Sequence, residues 1–263
     1  MIDIMATALI TGASSGIGFE LAREFAKHRH DLVLVARSED KLNSLADDLK
    51  AAHQIRVHVL TKDLSDAKQV DEVYAYTRFH NLQIDFLVNN AGFGDYAYFY
   101  DADWSKLDSM LDVNIKALTR LSWLYVRDMV KRRSGRLMNV ASTAAFQPGP
   151  TMAVYYATKS YVLFLSEAMA NELQGKGVTV TALCPGATES GFQEAADLHE
   201  SRLVKGKKLP TSAEVAAYGY KAMMRGKKVA IHGVGNYLLA QTPRFFPRNM
   251  VTKVVRLMQE KAE

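Results

Sequence analysis

Along this chain, short apolar runs rich in branched residues alternate with longer stretches whose apolar positions recur every three or four residues. The runs at 6–10, 32–36, 55–59, 84–88, 136–140 and 178–183 predict strands buried on both faces, as in a parallel sheet. The stretches at 20–27, 40–52, 68–79, 107–131 and 153–173 have the amphipathic period of helices. Strand and helix in strict turn predict an α/β fold: a Rossmann-type doubly wound parallel sheet of about seven strands with helices on both faces. The last strand, at 229–232, follows a helix that opens near Thr211, where Thr211 and Glu214 stand three apart as a capping box. Neither repeats nor a linker interrupt the pattern, so residues 1–263 read as one domain. Two parts depart from the alternation. Residues 190–210 are polar and weakly periodic, which predicts a mobile substrate segment, and 242–263 form a C-terminal helical tail.

The first predicted strand runs into Thr11-Gly12-Ala13-Ser14-Ser15-Gly16-Ile17-Gly18, after which a helix opens. Glycines there permit a tight turn and let backbone N–H groups approach a pyrophosphate, while the helix N-terminus adds partial positive charge. Gly12, Ser14, Ser15, Gly16, Ile17 and Gly18 are therefore candidate cofactor-binding residues. A Rossmann domain selective for NAD usually closes its second strand with an acid that takes the ribose diol. Here the strand closes Ala36-Arg37-Ser38, with no carboxylate to repel a 2′-phosphate. Arg37 is suited to hold that phosphate by charge-assisted hydrogen bonds, so NADP(H) is expected over NAD. Ser15 is not basic, so the glycine loop supplies no second clamp.

Further on, Tyr155 and Lys159 stand four apart and share a helix face. A free phenol titrates near 10, and an ammonium beside it favours phenolate, which suits Tyr155 to general acid or base work. Ser142 follows the fifth strand, where its hydroxyl can donate to a substrate oxygen. Tyr156 has no lysine four residues on and is expected to pack.

The spacing G-x-x-x-G-x-G, with Ser142 and Tyr155-Tyr156-Ala157-Thr158-Lys159 in this order, resembles the single-domain branch of the short-chain dehydrogenase/reductase family. The resemblance spans 6–232 and implies hydride transfer between a nicotinamide and a carbonyl or alcohol. It implies a catalytic set of Asn114, Ser142, Tyr155 and Lys159, with Asn114 supporting a water chain to Lys159 and Lys159 also holding the nicotinamide ribose. It implies that Asp63, with Leu64, meets the adenine edge, and that Asn90, Ala91 and Gly92 meet the ribose. It places Pro185, Gly186, Thr188 and Ser190 in a loop over the carboxamide; Ser190 stands where the family usually has threonine. It also implies a homo-oligomer, dimer or tetramer, formed through the helices at 107–131 and 153–173.

Other classes fare worse. The net charge of +5 is interspersed, which fits a solvated surface better than a nucleic-acid face. Cys184 is the only cysteine, so no intrachain disulfide forms, and at a strand end it reads as a buried small residue. The seven histidines show no ligand spacing, so no metal is expected. The N-terminus shows no signal-peptide pattern and no run approaches the ~20 residues that span a bilayer, so a cytoplasmic location is expected. A non-catalytic nucleotide-sensing or scaffold protein on the same fold is the alternative reading, yet Ser142, Tyr155 and Lys159 are all present. An extended-branch epimerase would need a larger C-terminal domain. Phe93, Tyr96, Phe146 and Phe192 fall near the expected pocket mouth and suggest an apolar substrate. In the tail, Met250, Val251, Val254, Val255, Leu257 and Met258 recur at helical spacing, with Lys253, Arg256 and Lys261 off the stripe. That stripe has three possible partners: the core, a second subunit or an anionic membrane surface.

Overall fold

A computed structural model of the chain describes residues 5–190 and 209–259. Seven parallel strands form one sheet in the order β3-β2-β1-β4-β5-β6-β7. They are β1 (Thr7–Thr11), β2 (Asp31–Ala36), β3 (Val57–Thr61), β4 (Ile84–Asn89), β5 (Gly135–Val140), β6 (Val178–Cys184) and β7 (Val229–Ile231). The helices are α1 (Gly16–Lys27), α2 (Glu39–His53), α3 (Ala67–Phe79), α4 (Trp104–Leu111), α5 (Leu118–Arg132), α6 (Ala153–Glu172), α7 (Ser212–Met224), α8 (Val234–Gln241) and α9 (Arg248–Gln259).

The continuous apolar runs are explained by two-sided burial. Ala8, Ile10, Leu32 and Leu34 enter one core with Leu21, Phe25, Leu42 and Val215 from α1, α2 and α7. Their neighbours Leu9, Val33 and Val35 point the other way, into a core with Val73, Leu121 and Tyr125 from α3 and α5. Successive strand residues face opposite sides, so both sides must be apolar.

The chain order reverses between β1 and β4, and the loops after these two strands part to leave a crevice at the carboxyl edge. Thr11 stitches the crevice floor: its Oγ1 accepts from Asn90 N and Ala91 N, both at 3.0 Å. Asn90 Nδ2 in turn donates to Thr11 O at 2.9 Å.

Two departures from the sequence expectation have a clear physical cause. β3 begins at Val57, because Gln54 takes the left-handed conformation that ends α2 and buried Ile55 packs into the core before the strand starts. The predicted long helix at 107–131 is three pieces, with a π-helical segment Asp112–Ala117 between α4 and α5. The Asn114 side chain accounts for the disturbance, since it bonds across to the loop after β4 and to α6. The Thr211–Glu214 capping box forms as expected.

Candidate active site

One cavity of about 1020 Å³ runs along the carboxyl edge of the sheet. Its volume exceeds what most drug-sized ligands need and suits a dinucleotide with a substrate beside it. At one end lie Gly12, Ser14, Ser15, Gly16 and Ile17. Gly12 and Gly16 have φ of 67° and 55°, a region that L side chains rarely adopt. Ser15, at the N-cap of α1, makes no side-chain capping bond, so the first-turn N–H groups keep their donors for a ligand at the cavity wall. These features fit the phosphates of a nicotinamide dinucleotide. Gly18 does not line the cavity. A Cβ there would stand 2.2 Å from Gly12 O, so it is glycine for close helix–strand packing.

Arg37, Asp63 and Leu64 line the same end, as do Ser38, Lys41 and Lys62, which the sequence reading missed. Lys41 stands one helical turn beyond Arg37 and Lys62 directly precedes Asp63, but neither lysine belongs to a motif that calls for a cation there. Asp63 is oriented by Ser65, whose N and Oγ donate to its Oδ1 at 2.9 and 2.8 Å.

Asn90 and Ala91 stand against Gly12, and Ser190 against Gly16, while Gly92, Ser142, Tyr155, Lys159, Pro185, Gly186 and Thr188 line the cavity beyond them. Four polar side chains beneath hold α5 and α6 to the sheet. Asn89 Nδ2 donates to Ser122 Oγ of α5 and to Asn139 Oδ1, both at 2.9 Å, and Asn139 Nδ2 donates to Ser166 Oγ of α6 at 2.9 Å. That clamp sets the depth of the α6 face bearing Tyr155 and Lys159.

Tyr155 is buried and hydrogen-bonded to Ser142; burial pushes its phenol up to about 12, and the Ser142 bond opposes the rise. The Ser142 hydroxyl also accepts from Ala144 N at 3.1 Å, capping the short 3₁₀ turn Thr143–Phe146. Lys159 Nζ donates to Val140 O at 2.8 Å and sits 5.7 Å from the centre of the Tyr155 ring. Burial pulls its ammonium down to about 8. The sequence reading had the ammonium drawing the phenol toward neutrality. Here desolvation of the phenolate is the larger cause, opposed by the Ser142 hydrogen bond, and the phenol moves the other way.

Asn114 is buried and does not line the cavity. Its Oδ1 accepts from Phe93 N at 3.1 Å, and its Nδ2 donates to Phe93 O at 2.9 Å and to Thr158 Oγ1 at 3.1 Å. Its side-chain donors are thus spent on protein atoms, in a π segment of the kind found at functional sites. Gly92 lies against this pair: a Cβ would stand 2.9 Å from Asn114 Oδ1 and 3.4 Å from Lys159 Nζ.

A profile of the short chain dehydrogenase family matches residues 6–201. The chain belongs to that family. An uncharacterized oxidoreductase of Staphylococcus epidermidis is 32% identical over 74% of this chain and 83% of its own length. The human very-long-chain 3-oxoacyl-CoA reductase is 32% identical over 68% of this chain and 58% of that enzyme. A solved short-chain dehydrogenase from Sphingobium yanoikuyae in complex with NADPH superposes with a TM-score of 0.82. It is 32% identical, with 92% of this chain and 94% of that one covered. The bulky-bulky ketone specific alcohol dehydrogenase from Comamonas testosteroni superposes with a TM-score of 0.78 at 31% identity, with 92% of each chain covered. This family member is an oxidoreductase, and its seven-stranded parallel sheet with helices on both faces is the fold that the sequence reading expected.

The remaining pocket expectations divide. Phe93 lines the cavity; Tyr96 and Phe146 do not, and Phe192 lies outside the described residues. So does most of the segment expected to be mobile, 191–208, although Ser190, Leu209 and Pro210 border the cavity. Tyr156, expected to pack, lines the cavity as well. Cys184 is fully buried and its thiol is pushed up to about 12, which leaves it inert as a nucleophile.

The sequence reading left the tail's partner open among core, second subunit and membrane; the C-terminal helix packs on the core and forms the far wall. Met250, Val251, Val254, Val255, Met258 and Gln259 of α9 line the cavity. Gln259 is fully buried; its Nε2 donates to Tyr156 Oη at 2.6 Å and its backbone O accepts from Tyr96 Oη at 2.9 Å. Val255 packs with Tyr155, Tyr156 and Met152. Among the described residues, no helix is long and apolar enough to cross a membrane.

Proposed function

We propose that this chain is an NADPH-dependent reductase of bulky, apolar ketones, with Tyr155 as the proton donor. The observation that carries this is convergence. Ser142, Tyr155 and Lys159 meet at one end of a single cavity whose other end is the glycine loop and Arg37. Arg37 and Lys41 line the cavity beyond the end of β2, where no acid stands to repel a 2′-phosphate, and this favours NADPH over NADH; Lys62 beside them is paired with Glu72. The substrate class follows from the wall built by Phe93, Met152, Tyr156 and α9. It is in keeping with the ketone specificity in the name of the Comamonas relative and the NADPH held by the Sphingobium relative.

When bound, the nicotinamide supplies the hydride to the carbonyl carbon. Ser142 donates a hydrogen bond to the carbonyl oxygen and polarises it. With its phenol raised to about 12, Tyr155 is protonated throughout the neutral range and delivers its proton to that oxygen as the alkoxide develops. Lys159, held by Val140 O and titrating near 8, carries a proton that can restore the phenol. Asn114 is a positioning residue: it fixes the loop at Phe93 against Thr158 of α6.

The test is Tyr155→Phe assayed with NADPH and a panel of diaryl and alkyl-aryl ketones. The kcat should fall by a factor of about 10²–10⁴, the usual worth of a general acid, while the NADPH Kd stays within about threefold. A variant that retains more than about a tenth of wild-type kcat on any ketone overturns the assignment.

A further inference from the structure

The outer side of the C-terminal helices has no use in that chemistry. Val234, Leu238, Phe245 and Leu257 are 78%, 61%, 80% and 57% exposed, and none of them lines the cavity. Val234 and Leu238 are one turn apart on α8, and Phe245 and Leu257 follow within 20 residues; large exposed apolar side chains so concentrated usually mark an interaction surface. On α9 the apolar arc is split. Val251 and Val255 turn inward; Leu257 turns out; and Met250, Val254 and Met258, between them, both line the cavity and reach solvent. The cavity therefore opens through this apolar face.

The charges that α8–α9 itself carries among the described residues have one sign. Arg244, Arg248, Lys253 and Arg256 fall within α8–α9, and residues 226–259 contain no Asp or Glu. Arg244, Arg248 and Lys253 are exposed and pair with no carboxylate among the described residues. This decides between occupants. A second copy docked here about a twofold axis would set one net-positive segment against another, since 226–263 carries seven Lys and Arg against only Glu260 and Glu263. An anionic lipid surface answers both features: acyl chains take Phe245 and Leu257, and headgroups take the arginines and lysine beside them.

We propose that the α8–α9 face docks on an anionic bilayer surface, with the cavity mouth in the plane of the headgroups. A lipid-dissolved ketone would then enter past Met250 and Val254 without crossing water. Only this entry route rests on the ketone-reductase reading; the docking itself does not.

The test is flotation of the full chain with vesicles of phosphatidylcholine alone and with about 30% phosphatidylglycerol, at low salt and at about 0.5 M salt. The protein should float with the anionic vesicles at least about tenfold more than with the neutral ones, and less at high salt. Arg244→Glu with Lys253→Glu, and separately Phe245→Ser with Leu257→Ser, should each lower binding about tenfold or more. All four positions are exposed, so both double variants should keep wild-type turnover of a water-soluble ketone, which reports that they fold. Binding is read without turnover, so Tyr155→Phe should float like the wild type whatever the fate of the catalytic assignment. Three results overturn the proposal: equal binding to both vesicles or to neither; unaltered anionic binding in the Phe245→Ser/Leu257→Ser variant; or an oligomer by light scattering that this variant dissociates, which would give the face to a second copy.

Discussion

Replacing Lys159 by methionine should stabilise the protein while it removes the proposed proton relay. Lys159 is 6% exposed, and burial pulls its ammonium from 10.5 to about 8. At about 1.36 kcal/mol per pH unit, that displacement sets about 3 kcal/mol against the folded state at pH 7, where the lysine is charged both folded and unfolded. The ammonium recovers part of this through its bond to Val140 O, a contact worth about 1 kcal/mol net. Methionine has nearly the same length and no charge to desolvate, so it should gain about 2 kcal/mol, or about 4 °C in Tm for a domain of this size. The pH dependence follows from the sign of the displacement. Between about 8 and 10.5 the unfolded chain holds the lysine proton and the folded chain does not, so wild-type stability rises with pH in that window. The advantage of the variant should accordingly shrink by about 1 kcal/mol from about pH 7 to about pH 9. Tyr155 and Cys184, both pushed up to about 12, stay protonated in the folded state across this range, so they add nothing to the difference; loss of Lys159 would only raise Cys184 further. Scanning calorimetry of the two proteins at both pH values reads the effect. A variant less stable than the wild type at pH 7, or an advantage that grows with pH, would refute the reasoning.

Three further outcomes are expected. The wild type should bind NADPH at least about tenfold more tightly than NADH, and Arg37→Ala should close most of that gap; equal affinities in the wild type, measured by fluorescence titration, would remove the cofactor assignment. Gly92→Ala should cut kcat about tenfold or more with the fold intact by circular dichroism, because its methyl would press on Asn114 and Lys159; unchanged kcat would show that this packing does not matter. Gln259→Ala leaves the buried Tyr156 hydroxyl without its donor, so Tm should fall by about 4 °C for about 2 kcal/mol lost. The KM for a bulky ketone should rise more than that for a small one, and equal effects on both would detach α9 from substrate selection.

The end of the cavity that holds the glycine loop was legible because its requirements are local. A strand that must turn at Gly12 with φ of 67° and open a helix at Gly16 writes itself into eight consecutive residues. The Tyr155–Lys159 pair is local in the same sense, being one helical turn. Two-sided burial gave the strands, since alternate residues such as Leu9 and Ile10 feed different cores and leave no polar position between them. What escaped was set by distant partners. The π segment at Asn114 depends on Phe93 and Thr158, 21 and 44 residues away, and nothing within 107–131 announces it. The Asn89–Asn139–Ser166 clamp joins two strands and a helix, with separations of 50 and 27 residues. The direction of the Tyr155 shift depended on how completely the site is closed to water, which spacing alone does not encode.

The two ends of the cavity differ in how they can specify a ligand. Phosphates are held by backbone N–H groups and fixed cations, so the residues that hold them must have particular conformations and charges. An apolar ketone is held by shape, and many sets of Met, Val and Leu make the same shape. The apolar stripe of α9 was therefore visible as a stripe but carried no mark of its destination. Its single polar anchor decides the matter. Gln259 spends its amide on Tyr156, 103 residues earlier, and its carbonyl on Tyr96, 163 residues earlier. A fully buried amide that makes such bonds is costly to withdraw, so it fixes the register of the helix while the methionines and valines around it stay free to vary. On the proposed ketone-reductase reading, substrate range would be set by side chains that can be exchanged without moving the helix that carries them.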